Sequence, residues 1–331
     1  MSNTLFVLLD GAEDDPNPLL GGKKPIDVAK MPFLESVADY KFKTTGRGYT
    51  HLFLNEFFTG HAPESSRAAL EAMGLGLNME EGRTAYRLSP AEIKEGMILW
   101  SYNTDSFKDE LERNVMDNLG MLAHLDPEID FFLNGRAVLT MECDIVPELP
   151  APPVNAPFVE VPGDLGKLVM KVADIMDGIT DYPWGCGRLN IRHPGFSCLG
   201  NMTAVSDSPT ALGVCASLGH EIRLVKDLDD RFPIAAEALK HGNVFLHIDE
   251  VDEYSHQKDP FKKIRVLEHA DRLMEEYFRD TERIIYFVDH GTSCVTGEHI
   301  ITDVPVWTSV ETEFGEDDIV PLKTVVKSLM S

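Results

Sequence analysis

Basic residues are scarce in this chain: 30 Lys and Arg stand against 55 Asp and Glu, a formal net charge of −25. No basic surplus is left to neutralise the phosphates of a polymer or an anionic bilayer, so neither nucleic acid nor a membrane is expected as a partner. An anionic substrate would need positive charge concentrated locally, which bound divalent ions would supply. Cysteine is sparse as well. Cys143, Cys186, Cys198, Cys215 and Cys294 are an odd number without paired spacing. That fits free thiols in a reducing cytoplasm and argues against a disulfide framework. No apolar run approaches the ~18 residues of a membrane span. The N-terminal run Leu5–Leu9 lacks a basic flank and leads into Glu13, Asp14 and Asp15, so it is not a signal peptide. Internal repeats are missing, and nothing in the chain fixes an oligomeric state.

What is present suits a globular protein: 331 residues, 43% hydrophobic and 26% charged, long enough for a large core and two domains. The two ends alternate strand-like and helix-like segments. Leu5–Leu9 reads as a strand, followed by a helical pattern from Pro25 to about Tyr40 and a helix from Ser65 to Met73 closed by Gly74. Near the other end, 243–248 reads as a strand, 261–279 as a long amphipathic helix and 283–288 as another strand. Such alternation implies an α/β fold with a mostly parallel sheet flanked by helices. The middle differs. Pro147, Pro150, Pro152, Pro153, Pro157 and Pro162 crowd a stretch that no regular helix would tolerate. The expected organisation is a discontinuous core of residues 1–100 and 200–331 with a smaller α+β domain inserted at 101–199.

The densest chemistry lies near the C-terminus, where Asp252, His256, Asp289, His290 and His299 gather. Five of the 11 histidines (His247, His256, His269, His290, His299) fall in this region. Asp252 and His256 are four apart, so on a helix both face one point. Asp289 and His290 follow the apolar run 284–288, as Asp10 and Gly11 follow Leu5–Leu9. Ligands of an open parallel sheet collect beyond the carboxyl ends of its strands, so Asp10 and Asp289 are expected to meet there. Carboxylate mixed with imidazole suits Zn²⁺, Mn²⁺ or Fe²⁺. Two metal sites are expected.

Pro63, Glu64, Ser65 and Ser66 open a predicted helix. Its N-terminus offers free N–H groups and a positive dipole end to phosphate oxygens. A metal-coordinated serine would be a usable nucleophile, and either serine would equally serve as an N-cap.

These residues carry a resemblance to the archaeal-type cofactor-independent phosphoglycerate mutases of the alkaline phosphatase superfamily. The family's opening pattern appears as Asp10, Gly11, Asp14 and Pro16, then Gly21, Gly22, Lys23 and Pro25. Its Pro-Gly-Ser-Asp motif, with a glycine nine residues after the serine, is matched by Pro63, Ser65 and Gly74, a register that selects Ser65 over Ser66. The later series falls at the family's offsets on His247, Asp252, His256, Asp259, Lys263, Glu268 and Asp271, then Asp289, His290 and His299. The resemblance implies an alkaline-phosphatase-like fold. It implies one ion on Asp252, His256 and His299 and another on Asp10, Ser65, Asp289 and His290, with Mn²⁺ or Zn²⁺ favoured and no organic cofactor. Ser65 would carry the phosphoryl group as a phosphoserine, and Lys263 would be a point charge on phosphate or carboxylate. As a residue in its own right, Lys263 would equally be a solvated lysine beside Lys262.

The substrate half of the pattern is less well kept. For the family's Gly-Asp-Val-Ala-Phe-Arg-x-Asn stretch, Gly96–Asn103 is the nearest segment, with Met97 and Ser101 where the charges should be and Asn103 retained. The family's Asp-Arg-x-Ala-Gly-Arg has no counterpart between Asn103 and Met121. Arg192 and His193 are candidate substrate contacts, with Arg188 a further one. The expected function is a two-metal phosphotransferase interconverting 3- and 2-phosphoglycerate, its partner a small phosphorylated metabolite. Two alternatives stand beside it: a phosphatase or small-molecule phosphotransferase with another acceptor, and a catalytically silent metal-binding regulatory protein.

Overall fold

The computed structural model describes residues 2–152 and 154–331; Pro153 of the proline-rich run lies outside the described residues. The chain divides into two compact units, one formed by Met1–Pro63 with Arg192–Ser331 and the other by Glu64–Ile191.

The first unit is built on an eight-stranded sheet. Its order is Glu221–Leu224, Met202–Ser206, Asn243–Ile248, Leu5–Leu9, Ile284–Phe287, Asp303–Thr308, Tyr40–Thr45 and Ile319–Val320. The first five strands are mutually parallel, and Asp303–Thr308 runs antiparallel to both neighbours. Leu5–Leu9 lies centrally and all five of its residues are buried, as expected of an unbroken apolar run with both sheet faces covered. Leu9 pairs with Ile248, and Leu8 with both His247 and Phe287. The three strands therefore end level, and Asp10, Asp249 and Asp289 emerge at one sheet edge.

Aromatic packing fixes the helix Thr50–Thr59 over this sheet. Phe53, Phe57 and Phe58 are fully buried, with the Phe57 and Phe287 ring centroids 4.4 Å apart and Phe58 edge-on to Phe245 at 5.6 Å. Each such ring stabilises the unit by about 1.5–3 kcal/mol, which anchors the helix and with it Thr50 at its first turn. The helix Pro260–Phe278 matches the expected amphipathic helix. Its Asp271 accepts from the N–H groups of Phe33 and Leu34 at 2.9 and 2.8 Å, capping a neighbouring helix. The pattern Pro25–Tyr40 is not one helix but two, Pro25–Val28 and Pro32–Val37, followed by the strand Tyr40–Thr45. Pro32 accounts for the break, since proline pushes the preceding residue out of helical conformation.

The second unit is an antiparallel sheet in the order Glu128–Phe132, Arg136–Glu142, Arg83–Lys94, Met97–Trp100 and Ala156–Pro157, with Ile179–Gly187 also paired to Arg83–Lys94. Tyr86, Leu139, Trp100 and Tyr182 from this sheet pack with Leu165, Val169 and Val172 from one helix and with Leu111 and Val115 from another. The unit starts at Glu64 rather than 101 and ends at Ile191 rather than 199. Arg83–Lys94 is the reason: it pairs with three strands of this sheet and belongs with them. The helix before it is Arg67–Leu75, capped by Ser66 and closed by Gly76 in left-handed conformation (φ 74°), two residues beyond the expected Gly74.

Candidate metal centre

Two strand ends and one helix of the first unit, with His299 at the start of the short strand His299–Ile300, build the site. Asp10 follows Leu5–Leu9, Asp289 and His290 follow Ile284–Phe287, and the helix Glu250–His256 presents Asp252 and His256 one turn apart. Asp10, Asp289 and His290 are buried, and their ligating atoms lie within 4.8 Å of one another. His290 Nε2 stands 3.3 Å from Asp10 Oδ1 and 3.2 Å from Asp289 Oδ2. Neither of those two carboxylate oxygens has a hydrogen-bond partner among the described residues. A second set meets beside it. His256 Nε2 is 3.0 Å from Asp252 Oδ2 and 3.1 Å from His299 Nε2, and Asp252, His290 and His299 again converge within 4.8 Å. Of the two sets expected to hold ions, Asp252, His256 and His299 are brought together, as are Asp10, Asp289 and His290 of the set that also included Ser65, a residue of the second unit, with His290 at the junction.

The electrostatics fit a cation. Burial pushes the Asp10 carboxyl well above the usual range, and the Asp289 carboxylate pushes it further. Burial also acts upward on Asp252, but His256 bonded to it, with His290 and His299 beyond, outweighs burial and holds it well below the usual range. Burial acts downward on His256, yet the Asp252 partner raises it to about 9. Unsatisfied buried carboxylate oxygens facing imidazole nitrogens are a donor set for a divalent ion of borderline hardness. Several ligands also have their outer atoms tied: His299 Nδ1 to Gly48 O at 2.8 Å and His256 Nδ1 to Gly297 O at 2.8 Å. Such contacts fix ring orientation and leave Nε2 for a metal.

A hydroxyl is also present. Thr50, first residue of Thr50–Thr59, has its Oγ1 3.2 Å from Asp10 Oδ2 and 3.5 Å from His290 Nε2. No motif in the sequence points to it; only the packing of its helix brings it to the strand ends. Ser65 belongs to the second unit, where its Oγ accepts from Asn190 N–H at 2.9 Å and donates to Asn190 O at 3.2 Å. His247 and Asp249 likewise join Asp10 within 4.8 Å without having been singled out as ligands.

Lys263 has another task than the expected contact with phosphate. It is fully buried, and its Nζ donates to Gly11 O at 2.9 Å, Asp14 Oδ2 at 2.8 Å, Thr292 O at 3.1 Å and Glu13 O at 3.3 Å. All its donor capacity is spent inside the protein, on the loop after Leu5–Leu9 and on Thr292, so it is neither a solvated lysine nor a free charge for substrate. Among the candidate substrate contacts, the His193 ring stacks on His61 at 3.7 Å, beside an exposed Arg192 in the first unit. Asn103 is exposed in the second unit, after the strand Met97–Trp100. Arg188 reaches Asp144 in the same unit. Gly96 proves to be a hairpin turn (φ 74°). A closer counterpart of the Gly-Asp-Val-Ala-Phe-Arg pattern is Gly82, Ala85 and Arg87 on the strand Arg83–Lys94. Arg87 is buried there, paired with Glu71 and set against the Trp184 and Phe132 rings at 5.2 and 4.9 Å.

Comparison with known proteins points to a metalloenzyme. Residues 206–315 match the model of the Metalloenzyme superfamily. The chain is 23% identical to the 2,3-bisphosphoglycerate-independent phosphoglycerate mutase of Picrophilus torridus over 92% of this chain and 88% of that one. It is 25% identical to the enzyme of the same name from Pyrococcus furiosus, over 91% and 87%. In fold it is similar to a Pyrococcus horikoshii protein (TM-score 0.75, 17% identity, 99% and 96% covered). It is also similar to a cofactor-independent phosphoglycerate mutase of Thermoplasma acidophilum (TM-score 0.59, 17% identity, 100% and 99% covered). The resemblance carried by the motifs is borne out, as is the α/β fold with its large, mostly parallel sheet.

Proposed function

We propose, for a chain that is a metal-dependent enzyme similar to the cofactor-independent phosphoglycerate mutases, that it transfers the phosphoryl group of a small phosphorylated metabolite. Interconversion of 3- and 2-phosphoglycerate is the leading reaction. The observation that carries this reading is the Thr50 hydroxyl among the converging ligands, 3.2 Å from Asp10. Asp252, His256 and His299 would hold one divalent ion and Asp10, Asp289 and His290 another, Mn²⁺ or Zn²⁺. Bound there, such ions lower the pKa of a hydroxyl and offset charge on phosphoryl oxygens. Thr50 is then the hydroxyl that takes the phosphoryl group: its oxygen forms the new P–O bond, its proton departs, and the substrate oxygen leaves with the electron pair. Its place at the first turn of a ten-residue helix adds a positive dipole end suited to phosphate oxygens. Arg192, His193 and Asn103 are the proposed substrate contacts. Ser65 is the competing acceptor, favoured by the motif register alone.

Phosphorus NMR of the Mn²⁺-loaded protein with 3-phosphoglycerate tests the reading. Appearance of 2-phosphoglycerate without free phosphate is expected. Thr50→Ala should reduce turnover by on the order of 10⁴-fold or more, Ser65→Ala should leave most of it, and acid-quenched protein should carry phosphothreonine. Loss in Ser65→Ala with retention in Thr50→Ala would return the role to Ser65. A second reading is favoured by the missing Asp-Arg-x-Ala-Gly-Arg motif between Asn103 and Met121: fewer directed cationic contacts would hold the product for retransfer. Free phosphate, or a newly phosphorylated acceptor in place of 2-phosphoglycerate, would establish that phosphatase or transferase reading instead.

A further inference from the structure

Beneath the ligand cluster, Ser206, His247 and Asp10 form a line of short polar contacts that ligation alone does not require. Ser206 ends the strand Met202–Ser206 and His247 lies one residue before the end of Asn243–Ile248; both are fully buried. Ser206 Oγ is 2.7 Å from His247 Nδ1, and His247 Nε2 is 2.7 Å from Asp10 Oδ2. The same Ser206 Oγ accepts the backbone N–H of Ser208 at 2.9 Å.

A hydroxyl has one hydrogen to donate and two lone pairs. One lone pair of Ser206 is taken by Ser208, which leaves the hydroxyl a hydrogen and one further lone pair for Nδ1. With Asp10 Oδ2 beside Nε2, offering the hydrogen, so that Nδ1 accepts, is the arrangement that satisfies both ring nitrogens. The neutral imidazole then carries its hydrogen on Nε2, where it donates to Asp10 Oδ2. The opposite tautomer would set a bare nitrogen lone pair 2.7 Å from a carboxylate oxygen and take from the hydroxyl hydrogen the acceptor that Nδ1 provides. One further contact orients the imidazole, its ring stacking on Phe245 at 6.0 Å and 15°, while Arg231 ties the backbone at this position by donating to the His247 carbonyl at 3.2 Å. The other oxygen of the carboxylate, Asp10 Oδ1, has no hydrogen-bond partner among the described residues and lies with Asp289 and His290.

We infer that Ser206 and His247 are positioning residues for Asp10: Ser206 selects the imidazole tautomer, and His247 holds Oδ2 so that Oδ1 stays turned to the ion site. The inference rests on the assignment of Asp10 as a ligand. It excludes the other use of this cluster, in which His247 and Asp249 would themselves bind an ion with Asp10.

Two measurements on the full chain test it: Zn²⁺ affinity by chelator competition, and the tautomer of His247 by ¹⁵N NMR before and after Zn²⁺ is added. The expected tautomer is Nε2–H, unchanged by Zn²⁺. Ser206→Ala should weaken Zn²⁺ binding about 10- to 100-fold, the usual cost of losing an outer-shell contact, and Ser206→Thr, which restores the hydroxyl, should recover it. Asp10→Asn is measured alongside. If Asp10→Asn binds Zn²⁺ as tightly as the unmodified chain, the ligand assignment itself fails. If Asp10→Asn is weakened and Ser206→Ala is not, the positioning role alone is overturned. Loss of the His247 Nε2 hydrogen on adding Zn²⁺ would make His247 a ligand and also overturns it. Where Ser206→Ala does not fold, the tautomer of the unmodified chain decides.

Discussion

At the residue level, Lys263 is a cation whose surroundings leave it no exchangeable partner. Its ammonium and the Asp14 carboxylate are both fully buried, 2.8 Å apart, and Asp14 Oδ1 in turn accepts from Cys294 N–H at 3.0 Å. Lys263→Met would strand Asp14 in the interior and should destabilise the first unit by about 3–5 kcal/mol, read as a fall in the urea midpoint. Adding Asp14→Asn to that variant should recover part of the loss, because the second charge is then gone too. The convergence of individual candidate ligands was legible for a simple reason: Asp10, Asp289 and His290 each follow an apolar run that ends abruptly in polar residues. Thr50 was not, because Tyr49, Thr50 and His51 form no such contrast with their neighbours, and a threonine opening a helix has an ordinary explanation as a turn residue. Ser65 stood out only because Pro63 and two serines mimic a helix start. Ser66 does cap that helix; Ser65 lies before it.

At the level of elements, that cap gives a separable prediction. The Ser66 side chain accepts from Ala69 N–H at 3.2 Å. Ser66→Ala should therefore cost the second unit about 1 kcal/mol without loss of phosphoryl transfer, as checked by denaturant titration and by the NMR assay. The strand Ile179–Gly187 holds a second case. Both oxygens of Asp181 are buried without hydrogen-bond partners among the described residues. Burial pushes its carboxyl well above the ordinary range, with Glu112 adding to the effect. Below the unfolded pKa of about 3.9 both states are protonated and nothing is lost. As pH rises past that value only the unfolded chain ionises, and stability falls until the raised folded pKa is reached. Asp181→Asn cannot ionise, so its advantage over the unmodified chain should grow above pH ~4 by up to about 1.4 kcal/mol per pH unit. A pH-independent difference between the two urea midpoints would refute this. Strands and helices whose apolar pattern is strong, such as Leu5–Leu9 and Pro260–Phe278, were legible from the chain. Arg83–Lys94 was not, because charged residues such as Arg83 and Arg87 resemble an exposed loop until their partners bury them.

For the whole molecule, metal binding links to stability in one unit. The six proposed metal ligands other than Ser65 (Asp10, Asp252, His256, Asp289, His290 and His299) all belong to the first unit. A divalent ion held at 100 times its dissociation constant should stabilise that unit by about 2.7 kcal/mol. Calorimetry with and without a chelator should move the transition of Met1–Pro63 with Arg192–Ser331 and leave that of Glu64–Ile191 in place. The border between the units escaped the sequence pattern because Pro147–Pro162 marks a conspicuous break within the second unit, whereas the true crossings at Pro63 and Arg192 carry little compositional contrast.

The central position of Leu5–Leu9 also sets an order of events during synthesis. Its two sheet neighbours, Asn243–Ile248 and Ile284–Phe287, are encoded far downstream, so at roughly 5–20 residues per second the earliest strand waits about 15–60 s for them on the ribosome. The second unit is continuous and completes its sheet at Gly187 while that strand is still unpaired. An apolar β-strand left unpaired for so long is a natural client for nascent-chain chaperones, and the Asp10 at its end meets Asp289 and His290 only after residue 290 has been made.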